Sequence, residues 1–302
     1  MAPDRMLPYH LMDVFTARAY AGNQLAVVLQ AGGLNDSQMQ AMAREFNLSE
    51  TIFVRPPADP AHTAAVRIFL PQAEIAFAGH PTIGCAILLA ELAHGPGDWD
   101  CTITLEELAG LVAVTVQRRA GLTTAELTAP VLPQRHPGAA DRGLIAAALD
   151  LPLAALALPG HIPGCFTGGP AFIYVPVADM AALARARPME PMWSALVAIA
   201  GANMAYVYTP GQDCDWQARL FSPGSGVPED PATGSATAIF AAQLLACGHL
   251  PEGTSRFTLR QGVEMGRPSA LQMSADVAQG RLTAVRVAGA AVRVAEGRIT
   301  PP

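Results

Sequence analysis

The sequence predicts an α/β protein built as two similar units, each of strands wrapped about one buried helix. Its 302 residues make about two domains at roughly 150 residues each. Two segments, 82–90 and 236–247, are apolar on every side rather than along one stripe, so each must be enclosed by other elements. And Arg67-Ile68-Phe69-Leu70-Pro71 is echoed by Arg219-Leu220-Phe221-Ser222-Pro223, each followed by a glycine-opened apolar helix.

In chain order, His10 to Phe15 and Gln24 to Leu29 read as short strands, separated by the turn-prone Ala21-Gly22-Asn23. A helix follows. Asn35 as N-cap with Gln38 three residues on forms a capping box; Met39, Met42, Ala43 and Phe46 share one face, and Asn47 stops the run. Leu48 to Val54 then sets Glu50 between a helix end and an apolar strand, so its carboxylate is expected to be partly buried. After a strand from Ala64 to Leu70, Gly79-His80-Pro81 opens a helix that runs to about Ala93 and ends at Gly95. In the second half, Ala171 to Val177 reads as a strand, and Gly234-Ser235 opens a helix closed by Gly248. Aligning the glycines pairs Gly79 with Gly234 and His80 with Ser235, the second loop carrying three more residues. Pro130, Pro133 and Pro137 mark the junction. The expected lobes are 1–130, completed by 288–302, and 131–287. Two helix N-termini facing one another across a cleft would favour a small carboxylate ligand.

Composition removes whole classes of chemistry. The 19 basic residues are all arginine, so Schiff-base enzymes and the lysine-containing phosphate loop are excluded. A net charge of −6, with no arginine cluster longer than Arg118-Arg119, argues against nucleic acid and anionic membrane as partners. The five cysteines are scattered, with no C-x-x-C pair, which speaks against a disulfide framework and a zinc site; no metal ligand set is assigned. The apolar stretch Leu144 to Leu158 is too short to span a bilayer, and the N-terminal run lacks the apolar core of a secretory leader, so a cytoplasmic protein is expected.

Several residues could do chemistry, each with a plainer alternative. Glu50 is either a general base whose proton affinity is raised by burial or an ordinary edge carboxylate capping a turn. Asp230, in a proline-flanked loop five residues before Ser235, either acts at a site or turns a corner. His80 is either a neutral imidazole donor at a helix entrance or a plain N-cap. Gly168-Gly169-Pro170 brings backbone close to a ligand or simply turns a hairpin. Cys85, one turn inside an apolar helix, reads as an inert small hydrophobe. Gly224-Ser225-Gly226 begins like a dinucleotide fingerprint, but Glu229 replaces its third glycine, and it is discarded.

Together, Asp13-Val14-Phe15-Thr16, Gly22-Asn23-Gln24-Leu25-Ala26-Val27, Asn47-Leu48-Ser49-Glu50-Thr51, Phe77-Ala78-Gly79-His80-Pro81-Thr82 and Glu229-Asp230-Pro231-Ala232-Thr233-Gly234-Ser235-Ala236 resemble the PhzF-like family of phenazine-biosynthesis isomerases. The resemblance covers almost the whole chain. It implies the diaminopimelate-epimerase-like fold, with two pseudo-symmetric lobes, a site in the cleft between them, and a homodimer. Glu50 would be the acid/base that moves a proton between carbons of a small unsaturated hydroxy or amino acid, with His80 and Asp230 in the catalytic set. Ser235, Thr233, Gly79 and Gly234 would hold the substrate. Related epimerases and proline racemases place a cysteine before each helix-opening glycine. Here Ala78 and Thr233 stand there, so a two-thiol mechanism is unavailable. Proton transfer of this kind needs no metal and no organic cofactor. A non-catalytic binder of small acids and a one-base amino-acid epimerase are the alternatives.

Overall fold

The computed structural model describes residues 6–302, and its contacts divide the chain into two compact units, 1–128 with 288–302 and 129–287. In the first unit, β1 (Leu7–Val14) and β2 (Asn23–Val28) pair antiparallel, and α1 (Asp36–Phe46) leads to β3 (Glu50–Arg55), parallel to β2. Next come β4 (Ala64–Phe69) and the two-residue β5 (Glu74–Ile75), both antiparallel to their predecessors. Beyond them, α2 (Gly79–His94) is followed by β6 (Trp99–Glu107), β7 (Gly110–Arg119) and β8 (Leu122–Thr128), with β6 parallel to β4. Residues 291–299 of the last strand pair antiparallel with β1.

Local sequence explains these elements. Asn35 and Gln38 make the reciprocal capping box, and Asn47 ends α1 in the left-handed conformation at φ 50°. β1 begins at Leu7, earlier than expected from the composition, because Pro8 lies where its carbonyl can still accept from Leu29 while its missing N–H is tolerated. β3 is buried along its middle because both its faces are covered. Phe53, with Val28 and Phe69, packs on Met39, Met42 and Ala43 of α1. α2 lies inside the unit, buried from Gly79 through Leu88. Gly84 permits its close approach to the strands: a Cβ there would stand 2.6 Å from Val14 Cγ2 and 2.7 Å from Leu25 Cδ2.

The second unit contains β9 (Gln134–Arg135), α3 (Arg142–Ala148), β10 (Gly164–Thr167), β11 (Ala171–Pro176), α4 (Met180–Arg185), α5 (Met192–Ala200), β12 (Ala205–Pro210), β13 (Trp216–Phe221), β14 (Glu229–Asp230), α6 (Gly234–Ala246), β15 (Gly253–Gln261) and β16 (Ser269–Ala278). The final strand, β17 (Arg281–Ile299), runs on from this unit into the first. Alternation decides which face each side chain serves. Ile173, Val175 and Val207 join the apolar cluster formed with α3, α4 and α5. Tyr174, Tyr206 and Tyr208 point the other way and set their rings against Phe240 of α6. Gly168-Gly169-Pro170 is the turn of the β10–β11 hairpin, with Gly169 at φ 111°.

Pairing repeats strand for strand. In the first unit β1–β2 is antiparallel, β2–β3 parallel, β3–β4 and β4–β5 antiparallel, and β4–β6 parallel. The series β10 to β15 has the same senses in the same order. The extra residues of the second loop fall in 222–228, where 223–225 form a single 3-10 turn. Among the described residues, no helix is long and apolar enough to cross a membrane.

Candidate active site

Glu50 is the first residue of β3, delivered there by the left-handed stop at Asn47, and its side chain is only 15% exposed. His80 occupies the second position of α2, within which its side chain is 4% exposed. The N-cap is Ala78, which supplies no side-chain bond, so the plain N-cap reading of His80 is overturned. Glu50 Oε2 and His80 Nε2 lie 3.6 Å apart. Burial holds the His80 imidazole down to about 3, with the Gln24 carbonyl pulling the other way, so the ring is neutral near pH 7. It therefore meets Glu50 as a dipole, not as a counter-charge. Asn23, fully buried at the start of β2, places its amide Nδ2 3.3 Å from His80 Nδ1, and Ser49 Oγ donates to its Oδ1 at 3.4 Å.

One turn along α2, Thr82 Oγ1 stands 2.7 Å from the Ala78 carbonyl and 2.7 Å from Glu107 Oε1. A hydroxyl has one proton, so Thr82 divides its donation between the Ala78 carbonyl and Glu107 Oε1. Burial, at 8% exposure, pushes the Glu107 carboxyl up to about 7 despite the Thr82 hydrogen bond. Burial, with a smaller contribution from Glu107, raises the Cys85 thiol well above its usual range, which leaves it an inert hydrophobe.

In the second unit, Thr233 is the N-cap of α6 with a non-helical backbone, and its hydroxyl donates to the Asp230 carboxylate. The helix thus begins one residue before Ser235, and Asp230 stands three residues ahead of the cap. Gln261 knits this loop: its Oε1 accepts from Thr233 N at 3.2 Å, and its Nε2 donates to the Asp230 carbonyl at 2.7 Å and to Thr233 Oγ1 at 3.0 Å. Ser269 Oγ adds a bond to the Pro231 carbonyl at 2.7 Å. Gly234 is buried, and Ser235 is half-buried in the first turn of α6.

Both loops are braced alike. Arg67 grips Glu74 through Nε and Nη2, and Arg219 grips Glu229 through the same atoms at 2.8 and 2.9 Å. Arg219 Nη1 also donates to the carbonyls of Leu183, Ala184 and Ala186 at the end of α4. Register then sets the units against each other residue by residue. Phe69 pairs with Glu74 and Phe221 with Glu229, so Ile75 stands where the second unit has Asp230. Thr51 pairs with Phe69 and Ala205 with Phe221, so Glu50 corresponds to Met204. Reactive groups are therefore unequally divided: Glu50 and His80 in one unit, Asp230 and Ser235 in the other.

Sequence reading missed Glu107, Gln261 and the contact made by Asn23. The inward alternation of Ile103, Leu105 and Glu107 along β6 carried a signal for the first. No local pattern marks Gln261, whose partners lie 28 and 31 residues away.

Residues 12–297 match the family described as phenazine biosynthesis-like protein. The chain belongs to that family. Among its relatives, an uncharacterized isomerase of Mesorhizobium japonicum is 41% identical over 300 residues, covering 96% of this chain and 98% of that one. The trans-2,3-dihydro-3-hydroxyanthranilate isomerase of Pseudomonas aeruginosa is 34% identical over 290 residues, with coverages of 96% and 98%. The fold is that of a Bacillus anthracis phenazine biosynthesis protein of the PhzF family, at a TM-score of 0.86 and 23% identity, covering 98% of this chain and 99% of that one.

Proposed function

We propose that this protein is an isomerase that moves a proton between carbons of a small unsaturated hydroxy or amino acid, with Glu50 as the acid/base. The observation that carries the reading is the partly buried Glu50 carboxylate 3.6 Å from a neutral, buried His80. A cationic partner would hold the carboxylate's charge on the protein; a neutral imidazole leaves it for a substrate proton. Glu50 takes the proton from a carbon made acidic by conjugation, becomes the neutral acid, whose proton exchanges with solvent, and delivers a proton to another carbon. Electron density moves along the conjugated system, and neither oxidant nor cofactor enters the balance. His80 orients the substrate, and Asp230, Thr233 and Ser235 with the backbone N–H groups at Gly79 and Gly234 bind its polar groups in the same turnover.

The unequal division of residues supports a single base, since the position equivalent to Glu50 is Met204 and Thr233 already bonds Asp230. Deuterium incorporation tests the reading. Small unsaturated acids, beginning with the trans-2,3-dihydro-3-hydroxyanthranilate that names the Pseudomonas relative, are incubated with the protein in D₂O and inspected for deuterium at carbon. Glu50→Gln is expected to keep its fold and lower incorporation roughly 10²-fold or more. Equal rates in the two proteins would remove Glu50 from the chemistry, and binding without incorporation across the panel would make the protein a binder.

A further inference from the structure

We propose that Asn23 is a positioning residue that keeps the neutral His80 ring in its Nε2–H tautomer, so that the imidazole presents a donor toward Glu50. The consequence for turnover rests on the Glu50 reading; the tautomer does not.

Asn23 is fully buried and His80 is 4% exposed, so bulk water does not set the ring's proton position. The Asn23 amide places its oxygen end 3.4 Å from the Ser49 hydroxyl and its nitrogen end 3.3 Å from His80 Nδ1. An amide nitrogen can only donate. Nδ1 is then the acceptor, and the single proton of the neutral ring stands on Nε2. That atom is buried without a hydrogen bond of ordinary geometry, and Glu50 Oε2 lies 3.6 Å from it. The Gln24 carbonyl also raises the ring's proton affinity. A proton on Nδ1 would set two donors, the ring N–H and the Asn23 amide, only 3.3 Å apart. The other tautomer would leave Nε2 a lone pair facing a carboxylate, which is repulsive for an ionised Glu50. Asn23 reaches this place because it opens β2, two residues ahead of Leu25, which pairs with Glu50 in the neighbouring β3.

The test is long-range ¹H–¹⁵N NMR of the ligand-free, ¹⁵N-labelled full chain, with the His80 signals assigned by their loss in His80→Gln. A pyrrole-like shift at Nε2 and a pyridine-like shift at Nδ1 are expected in the wild type. The reverse pattern overturns the proposal. Asn23→Asp replaces the donor with an acceptor and is expected to invert the pattern. Asn23→Ala removes the donor without adding charge and is expected to give averaged shifts. If Asn23→Ala keeps a fixed Nε2–H, another group sets the tautomer and Asn23 has no such role. With the relative's substrate as probe, Asn23→Ala should lower deuterium incorporation roughly 10- to 100-fold, the usual scale for a partner that orients an imidazole. Glu50→Gln should leave the His80 tautomer as in the wild type, so failure of the catalytic reading is distinguished from failure of this one.

Discussion

Replacing Glu107 by glutamine should make the protein more stable at alkaline pH and less sensitive to pH. In the folded chain, burial pushes the carboxyl from 4.5 up to about 7. At about 1.4 kcal/mol per pH unit, that gap corresponds to about 3 kcal/mol. Below pH 4.5 the folded and unfolded chains both hold the proton and no penalty exists. Between 4.5 and about 7 the unfolded chain releases it while the folded chain keeps it, so stability falls as pH rises. Above about 7 the loss is complete and the curve flattens. Glutamine has nearly the same shape, cannot ionise, and can accept the Thr82 hydroxyl through its amide oxygen as the carboxyl does. Urea unfolding of both proteins from pH 4 to 9 isolates the effect, because every other titrating group cancels in the difference. The two stabilities should nearly coincide at pH 4.5, and the variant should lead by about 3 kcal/mol at pH 8.5. Parallel curves would mean that Glu107 is ionised in the folded protein near neutrality and that burial does not hold its proton.

Other perturbations test the supports of the site. Gly22→Ala should cost about 2 kcal/mol or more in urea unfolding, because the residue sits at φ 68° and a Cβ would stand 2.3 Å from the Val14 carbonyl oxygen. Arg219→Ala should cost about 3–5 kcal/mol in the same assay, since it leaves Glu229 and the carbonyls of Leu183, Ala184 and Ala186 without their donor. Arg67→Ala should cost less, as its second carboxylate, Asp36, is 81% exposed. Gln261→Leu should destabilise by about 1–3 kcal/mol, because the Thr233 N–H and the Asp230 carbonyl lose their partner. It should also slow deuterium incorporation, and unchanged turnover would show that the Asp230 loop keeps its shape without Gln261.

Where a short stretch of chain contains its own reason for a conformation, the sequence alone determined it. The capping box of α1 needs only Asn35 and Gln38, and its stop needs only Asn47. The enclosure of α2 and α6 follows from segments with no polar face, and the echo of Arg67 by Arg219 exposed the repeat that the strand pairings then matched. The sequence also named Glu50, His80, Asp230 and Ser235 as candidates.

Tertiary structure alone decided how those groups behave. Asn23 and His80 are 57 residues apart in the chain, and Thr82 and Glu107 are 25 apart, so no window of sequence shows one against the other. His80 is neutral because packing strips its water, and sequence reasoning had invoked the helix end instead. Local order depends on dihedral preference and nearest neighbours, which the amino-acid string states outright. A proton's position depends on solvation and on hydrogen-bond partners brought together from distant strands, and only the folded chain specifies those.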